Sequence, residues 1–326
     1  MATSNSYDFI LTRATLITET LQTLQVLGEG ETANTNQITD HSRTLNAMVK
    51  RWQVIGTNLW LYDQLTLFTE KTKQVYKLTS DHIAHLSDVI KTQLNGAVSS
   101  GATTIIVDSS SGILSADKIG VELSDGTMQW TTVNGAPSGN TITLTAALTA
   151  SANDNAKVFS YTTKYAKRPK QIFSPLLQDN TSLTAPTTIP INVTSFEDYL
   201  KSYSSKTSSG GINTIAISYI NNPTTNIDDL SIYVYPTTDN VTKTIELVVQ
   251  RSISDFDADG DNPDFPQEWY EALVYGLAAR LSNHYKLPIS ERKWLKALAE
   301  EAKMEAETFG IHSSDTSIFL QPYDQS

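Results

Sequence analysis

The chain has 326 residues, with 35 acidic against 24 basic side chains and a formal charge of −11. That balance excludes a basic face broad enough to hold nucleic acid by its phosphates. The absence of cysteine excludes disulfides, thiolate nucleophiles and cysteine-ligated metals. In chain order, Leu16, Ile17, Thr20, Leu24 and Leu27 recur at helical spacing, and Gly28 and Gly30 are expected to stop that helix. A second helix, starting near Asn36, puts Leu45, Met48, Val49, Trp52 and Ile55 on one face. Gly56 ends it, and Trp60 and Tyr62 follow. Two such stripes bury each other as an antiparallel helix pair. Leu65 and Leu67, then Val75, Tyr76 and Leu78 across Thr69–Lys73, read as a β-hairpin with an irregular loop. Leu86, Val89, Ile90 and Leu94 read as a short helix within Asp81–Leu94.

From Gly96 to Tyr161 the composition turns to Ser, Thr, Gly, Asn and Ala, with almost no Lys or Arg. Five short alternating runs, at 104–107, 119–123, 128–133, 141–144 and 158–161, are separated by turn residues. They predict a small antiparallel barrel or sandwich inserted into the host domain. Asp125-Gly126 is its clearest hairpin signal. Beyond it, Ile172-Phe173 reads as a strand, Gln178–Pro190 as a polar loop and Ser195–Leu200 as a helical turn. Alternation at 212–220, 230–235 and 244–250 gives a second β layer. Pro266 opens a helix with Trp269, Leu273, Gly276, Leu277 and Leu281 as its stripe. After Pro288, Ser290 caps another helix, with Trp294, Leu295, Leu298 and Ala302 inward and Gly310 as its stop. The last residues, Ile311–Ser326, carry Ile318, Phe319 and Leu320 with no local partner, which fits either a disordered end or a docking strand.

Few constellations carry chemistry. Asp255, Asp257 and Asp259 with Gly260 reproduce the start of a calcium loop, but the closing glutamate position holds Pro266 and the loop follows a strand. The preferred reading is an acidic connection; a weak cation site is the minor one. His82 and His85 stand three apart without a third ligand, so the five histidines read as surface residues. Gly28-Glu29-Gly30-Glu31 follows a helix and carries two acids, so it is no phosphate loop. Lys164, Lys167, Arg168 and Lys170 form the one basic cluster and read as a solvated edge. No enzyme class and no cofactor gains support. The opening residues lack the basic flank and apolar core of a signal peptide, and no run approaches the ~20 apolar residues of a membrane span. The reading is a soluble protein with no sequence-encoded route out of a cytoplasm and no membrane association.

The runs Leu24–Glu31, Leu45–Trp52 and Gly56 with Leu59-Trp60, then Trp269–Leu281 near the other end, resemble the helices of head-to-tail adaptor proteins of short-tailed bacteriophages. The likeness spans roughly residues 1–95 and 165–310. It implies an α+β fold: a four-helix bundle-like domain from N- and C-terminal helix pairs plus an antiparallel β section. The small all-β module, 96–164, is inserted there, and 311–326 is an extended docking tail. The implied core-packing residues are Leu24, Leu45, Met48, Trp52, Trp60, Trp269, Leu273, Leu277 and Trp294. Family membership would imply a virion protein in a ring of twelve beneath the portal, joining capsid to tail without catalysis. Its partners would be the portal protein, through Ile318, Phe319 and Leu320, and the tail nozzle and fibres. DNA would pass through the ring without specific binding, and an acidic wall suits that passage. Two other readings stay open: a tail nozzle component, and a sugar-binding protein stacking ligands on Trp130, Tyr161 and Tyr165.

Overall fold

The computed structural model describes residues 11–55, 62–78, 81–165, 169–203, 205–222 and 227–314. The helices are α1 (Arg13–Thr23), α2 (Thr35–Ile55), α3 (Phe196–Ser202), α4 (Tyr270–Leu281) and α5 (Ile289–Ser314). The first nine strands are β1 (Tyr62–Phe68), β2 (Val75–Lys77), β3 (Ile83–His85), β4 (Ile90–Gln93), β5 (Thr104–Ile106), β6 (Lys118–Glu122), β7 (Met128–Thr132), β8 (Thr141–Thr143) and β9 (Lys157–Tyr161). The remainder are β10 (Gln171–Asp179), β11 (Thr187–Pro190), β12 (Asn192–Thr194), β13 (Ser209–Gly210), β14 (Thr214–Asn222), β15 (Ile227–Tyr235), β16 (Thr237–Thr238) and β17 (Lys243–Gln250). The chain divides into two compact units: unit 1 holds Met1–Leu61 and Ile253–Ser326, and unit 2 holds Tyr62–Ser252.

In unit 1 the helices share one apolar core, with Leu16, Ile17, Leu45, Met48, Trp269, Leu273, Leu277 and Leu295 fully buried or nearly so. α1 starts where Thr12 accepts from the Thr15 amide at 3.3 Å. It ends earlier than its glycines suggest. Gln25 takes the left-handed conformation at φ 57°, and the Val26 amide returns to the Leu21 carbonyl at 2.9 Å, closing the last turn. α2 opens with a reciprocal cap: Asn34 Oδ1 accepts from the Gln37 amide and Gln37 Oε1 from the Asn34 amide, at 3.0 and 2.9 Å. Gly276 lets α4 approach α2. A Cβ there would stand 2.9 Å from Met48 Sδ and 3.0 Å from Trp52 Cζ2. α5 runs on through Gly310 to Ser314, so that glycine does not stop it.

Unit 2 contains two larger sheets on a common core. The five-stranded sheet has the order β11-β10-β17-β1-β3, and the four-stranded sheet β12-β14-β15-β2. Leu65, Leu67, Ile245, Leu247 and Val249 of the first pack with Tyr76, Ile215, Ile232 and Val234 of the second. β1 and β17 pair antiparallel from Tyr62↔Gln250 to Phe68↔Thr244, which brings the two ends of the unit side by side. The expected hairpin at 65–78 does not form. β1 pairs with β17 and β3, whereas β2 joins β15 in the other sheet. A second antiparallel sheet, β4-β9-β6-β7, and the β5-β8 pair enclose a separate core around Val107, Ile119, Val121, Ile142 and Val158. The Asp125-Gly126 turn closes β6 on β7, with Gly126 at φ 79° and its amide on the Leu123 carbonyl at 2.9 Å.

The fold-class expectation is corrected. Strand outweighs helix, 31% to 28%, over sheets of two to five strands, so the molecule is mostly β and not bundle-like. Strands beyond those expected include β3, β4, β11 and β12. The strand expected at Ile172-Phe173 extends over Gln171–Asp179, and the polar stretch Gln178–Pro190 holds the end of that strand and a further one at Thr187–Pro190 in place of a continuous loop. Asp81–Leu94 carries β3, a single 3-10 turn at Leu86–Asp88 and β4, and no α-helix.

Candidate functional site

The core residues are placed as follows. Leu24, Leu45, Met48, Trp52, Trp269, Leu273 and Leu277 are all buried in unit 1. Trp52 meets Trp269 at 5.9 Å and Phe265 at 6.4 Å between ring centroids, and the Lys303 ammonium stands 5.9 Å from its ring. Trp294 is corrected: it is 60% exposed. The buried line of α5 runs through Leu295, Ala302 and Ala306 instead, and Trp294 is turned about 100° from it. Trp60, and the tail residues Ile318, Phe319 and Leu320, lie outside the described residues.

The aspartate loop is a strap across two helices. Asp259 pairs with Arg13, whose Nη1 also donates to the Phe256 carbonyl at 3.0 Å. Asp255 pairs with Lys50 at 2.7 Å. The Asp259 and Asp261 carbonyls accept from the Ala14 and Arg13 amides at 3.2 and 2.9 Å, satisfying orphan donors at the start of α1. Asn46 holds the Phe256 backbone from α2, accepting from its amide at 3.0 Å. The Asp261 carboxylate accepts from the amides of Ala258 and Asp257, and these bonds hold its pKa below the usual range. Asp255, Asp257 and Asp259 thus do not converge. Among the described residues no three His, Cys, Asp or Glu come together as a metal site.

Two histidines depart from the surface reading. His41 is buried, with Nε2 2.7 Å from Tyr285 Oη and its ring 5.8 Å from that of His284; burial, then the His284 charge, lowers its pKa. His82 stacks on Trp130 at 4.0 Å and 11°, with Nδ1 2.7 Å from Tyr161 Oη. Burial is the main cause that lowers its pKa to about 4, with the Lys164 charge next. Around this pair, Phe68 of β1 contacts Trp130, Phe159 and Tyr161 at 4.9–5.8 Å, forming an aromatic seam between the larger sheets and the β4-β9-β6-β7 sheet. Tyr161 and Tyr165 are buried, and one face of the half-buried Trp130 ring is covered by His82.

Sequence reasoning missed Lys91, a lone cation in a nearly charge-free stretch, which is the signal that would have found it. From β4 it reaches Gln178 Oε1, Asn180 Oδ1 at 3.1 Å and Glu246 at 3.6 Å on β10, β17 and the loop between β10 and β11. Of the basic cluster, Lys167 and Arg168 lie outside the described residues. No described helix is long and apolar enough to cross a membrane.

No family model matches the chain, and no curated protein matches it. A likeness exists to the solved structure of the tailspike gp61 of Pseudomonas phage phi297, at 18% identity and a TM-score of 0.19. It covers 22% of this chain and 14% of that one, so most of the present fold lies outside it.

Proposed function

We propose that this chain is a structural component of a bacteriophage virion: a head-to-tail adaptor that forms a ring beneath the portal, joins capsid to tail and extends the DNA channel. The observation that supports the reading is the core of unit 1. Leu24, Leu45, Met48 and Trp52 from the first segment pack in one cluster with Trp269, Leu273 and Leu277 from the last. These are the residues whose order along the chain carries the resemblance to adaptor proteins. The acid surplus fits a wall past which DNA slides without being held. In this reading the ring has twelve copies, Ile318, Phe319 and Leu320 dock on the portal, and the nozzle and fibres attach on the opposite side.

The excess of strand over helix favours a second reading, a component of the tail nozzle itself. One experiment separates them. The purified full chain is mixed with the portal dodecamer of its phage and imaged by negative stain beside each component alone. The adaptor reading expects an added layer of twelve-fold symmetry on the portal, absent when 311–326 is removed. A portal that stays bare overturns it and leaves the nozzle reading.

A further inference from the structure

Between α1 and α4, apart from the strap and the seam, lies an open cleft of about 400 Å³. Glu19 comes to it from α1, one turn before Gln22 and Thr23, and Tyr270, Glu271, Val274 and Tyr275 come from α4 at the spacing of one helix face. Leu11, Val274 and Tyr270 are buried in its wall, and Tyr275 is the half-buried aromatic beside them.

The electrostatics are one-sided. Glu19 is half-buried, Glu271 is exposed, and neither carboxylate has a cation beside it among the described residues. Burial alone pushes the Glu19 carboxyl up from its ordinary range. A half-desolvated carboxylate without a counter-charge costs free energy that a bound cation would recover. Two carboxylates repel a phosphate or carboxylate ligand. A bare divalent ion calls for six or more oxygen donors, whereas much of this wall is apolar or aromatic. An organic cation satisfies every wall. Its charge meets the carboxylates through charge-assisted hydrogen bonds, and its methylenes lie along Tyr275 and the edge of the apolar wall.

We propose that the cleft binds a primary ammonium or a guanidinium carried on an alkyl stem, with Glu19 as its counter-charge. Such a group reaches the cleft either as the side chain of a lysine or arginine on a partner chain or as a free polyamine. The proposal does not rest on the adaptor reading, because it concerns the chemistry of α1 and α4 alone.

The test uses the full chain and calorimetric titration with putrescine, agmatine, a blocked lysyl tripeptide and n-pentanol as the neutral comparison. Binding of the cations is expected, with no detectable heat from the alcohol. Glu19→Gln should weaken cation binding about tenfold. It removes a partly buried charge and should leave the thermal midpoint at or above that of the parent. Glu271→Gln, at an exposed position, should weaken it less. Tighter binding of the tripeptide than of putrescine supports a partner side chain as the source; the reverse order supports a free polyamine. Equal binding of n-pentanol, cation affinity unchanged in Glu19→Gln, or no cation binding to the folded parent would each overturn the proposal.

Discussion

Two tryptophans that share a sequence-level expectation, Trp52 and Trp294, should part company when truncated. Trp52 is 7% exposed, lies against Trp269 and Phe265, and fills the space that Gly276 leaves between α2 and α4. An indole of this kind withdraws about 150–250 Å² from water. At ~25 cal/mol per Å² that is about 4–6 kcal/mol as an upper bound. Core truncations of this type cost ~3–5 kcal/mol, because neighbours only partly collapse into the void. Trp294, largely in solvent, should change stability by no more than ~0.5 kcal/mol as alanine. The assay is urea unfolding followed by helical circular dichroism, which reports on unit 1 because α3 alone among the described helices lies in unit 2. With m near 1–3 kcal/mol/M, Trp52→Ala should lower the midpoint by ~1–5 M while Trp294→Ala leaves it in place. An unchanged midpoint for Trp52→Ala, or an equal loss for both variants, would refute the packing described for unit 1.

Three further outcomes are expected. His82 has a folded pKa of about 4 against 6.5 for the free ring, so the unfolded chain binds the proton first. Its contribution is therefore complete above pH 6.5 and lost as pH falls towards 4. The ring is partly exposed, and after screening the loss should be about 1–2 kcal/mol; denaturant midpoints measured between pH 7 and 4 should show it, and His82→Phe should flatten the slope. Lys91→Met strands Glu246, Gln178 and Asn180 and should cost ~1–3 kcal/mol, partly recovered by adding Glu246→Gln; a double variant no better than the single would argue against a direct pairing. Gly126→Ala places a Cβ at φ 79° and 3.2 Å from Lys71 Nζ, and should cost ~1–2 kcal/mol by thermal denaturation; a neutral result would contradict the turn geometry.

The readable parts of this chain are those where one period dominates locally. Bulky side chains at helical spacing announced α1, α2 and α4, and turn residues between short alternating runs announced β5 to β9. What stayed hidden depended on partners far along the chain. Nothing near Leu65 signals that β1 prefers β17, some 180 residues away, to β2 beside it. His41 sits among polar neighbours, and its burial comes from Tyr285, 244 positions on. The charge of the aspartate loop was evident, but its use was not, because Arg13 and Lys50 lie more than 200 residues upstream. On α5, Trp294 and Leu295 are adjacent, so spacing alone fits either as the buried one; the small Ala302 and Ala306 settle it only once the packing is known.

The pairing of Tyr62 with Gln250 also bears on how the molecule is made. α1 and α2 are synthesised before unit 2, and the helices that cover them, α4 and α5, after it. Left as an open coil, the intervening chain of about 190 residues would set a large loop-closure cost between the two halves of unit 1. Once β1 and β17 zip together, that span acts as a connection of a few residues, a saving of about 3 kcal/mol in chain entropy. Unit 2 can thus work as an internal clasp: complete by Ser252, it brings its own first and last strands together before α4 and α5 are made, and so shortens the effective connection between the two segments of unit 1.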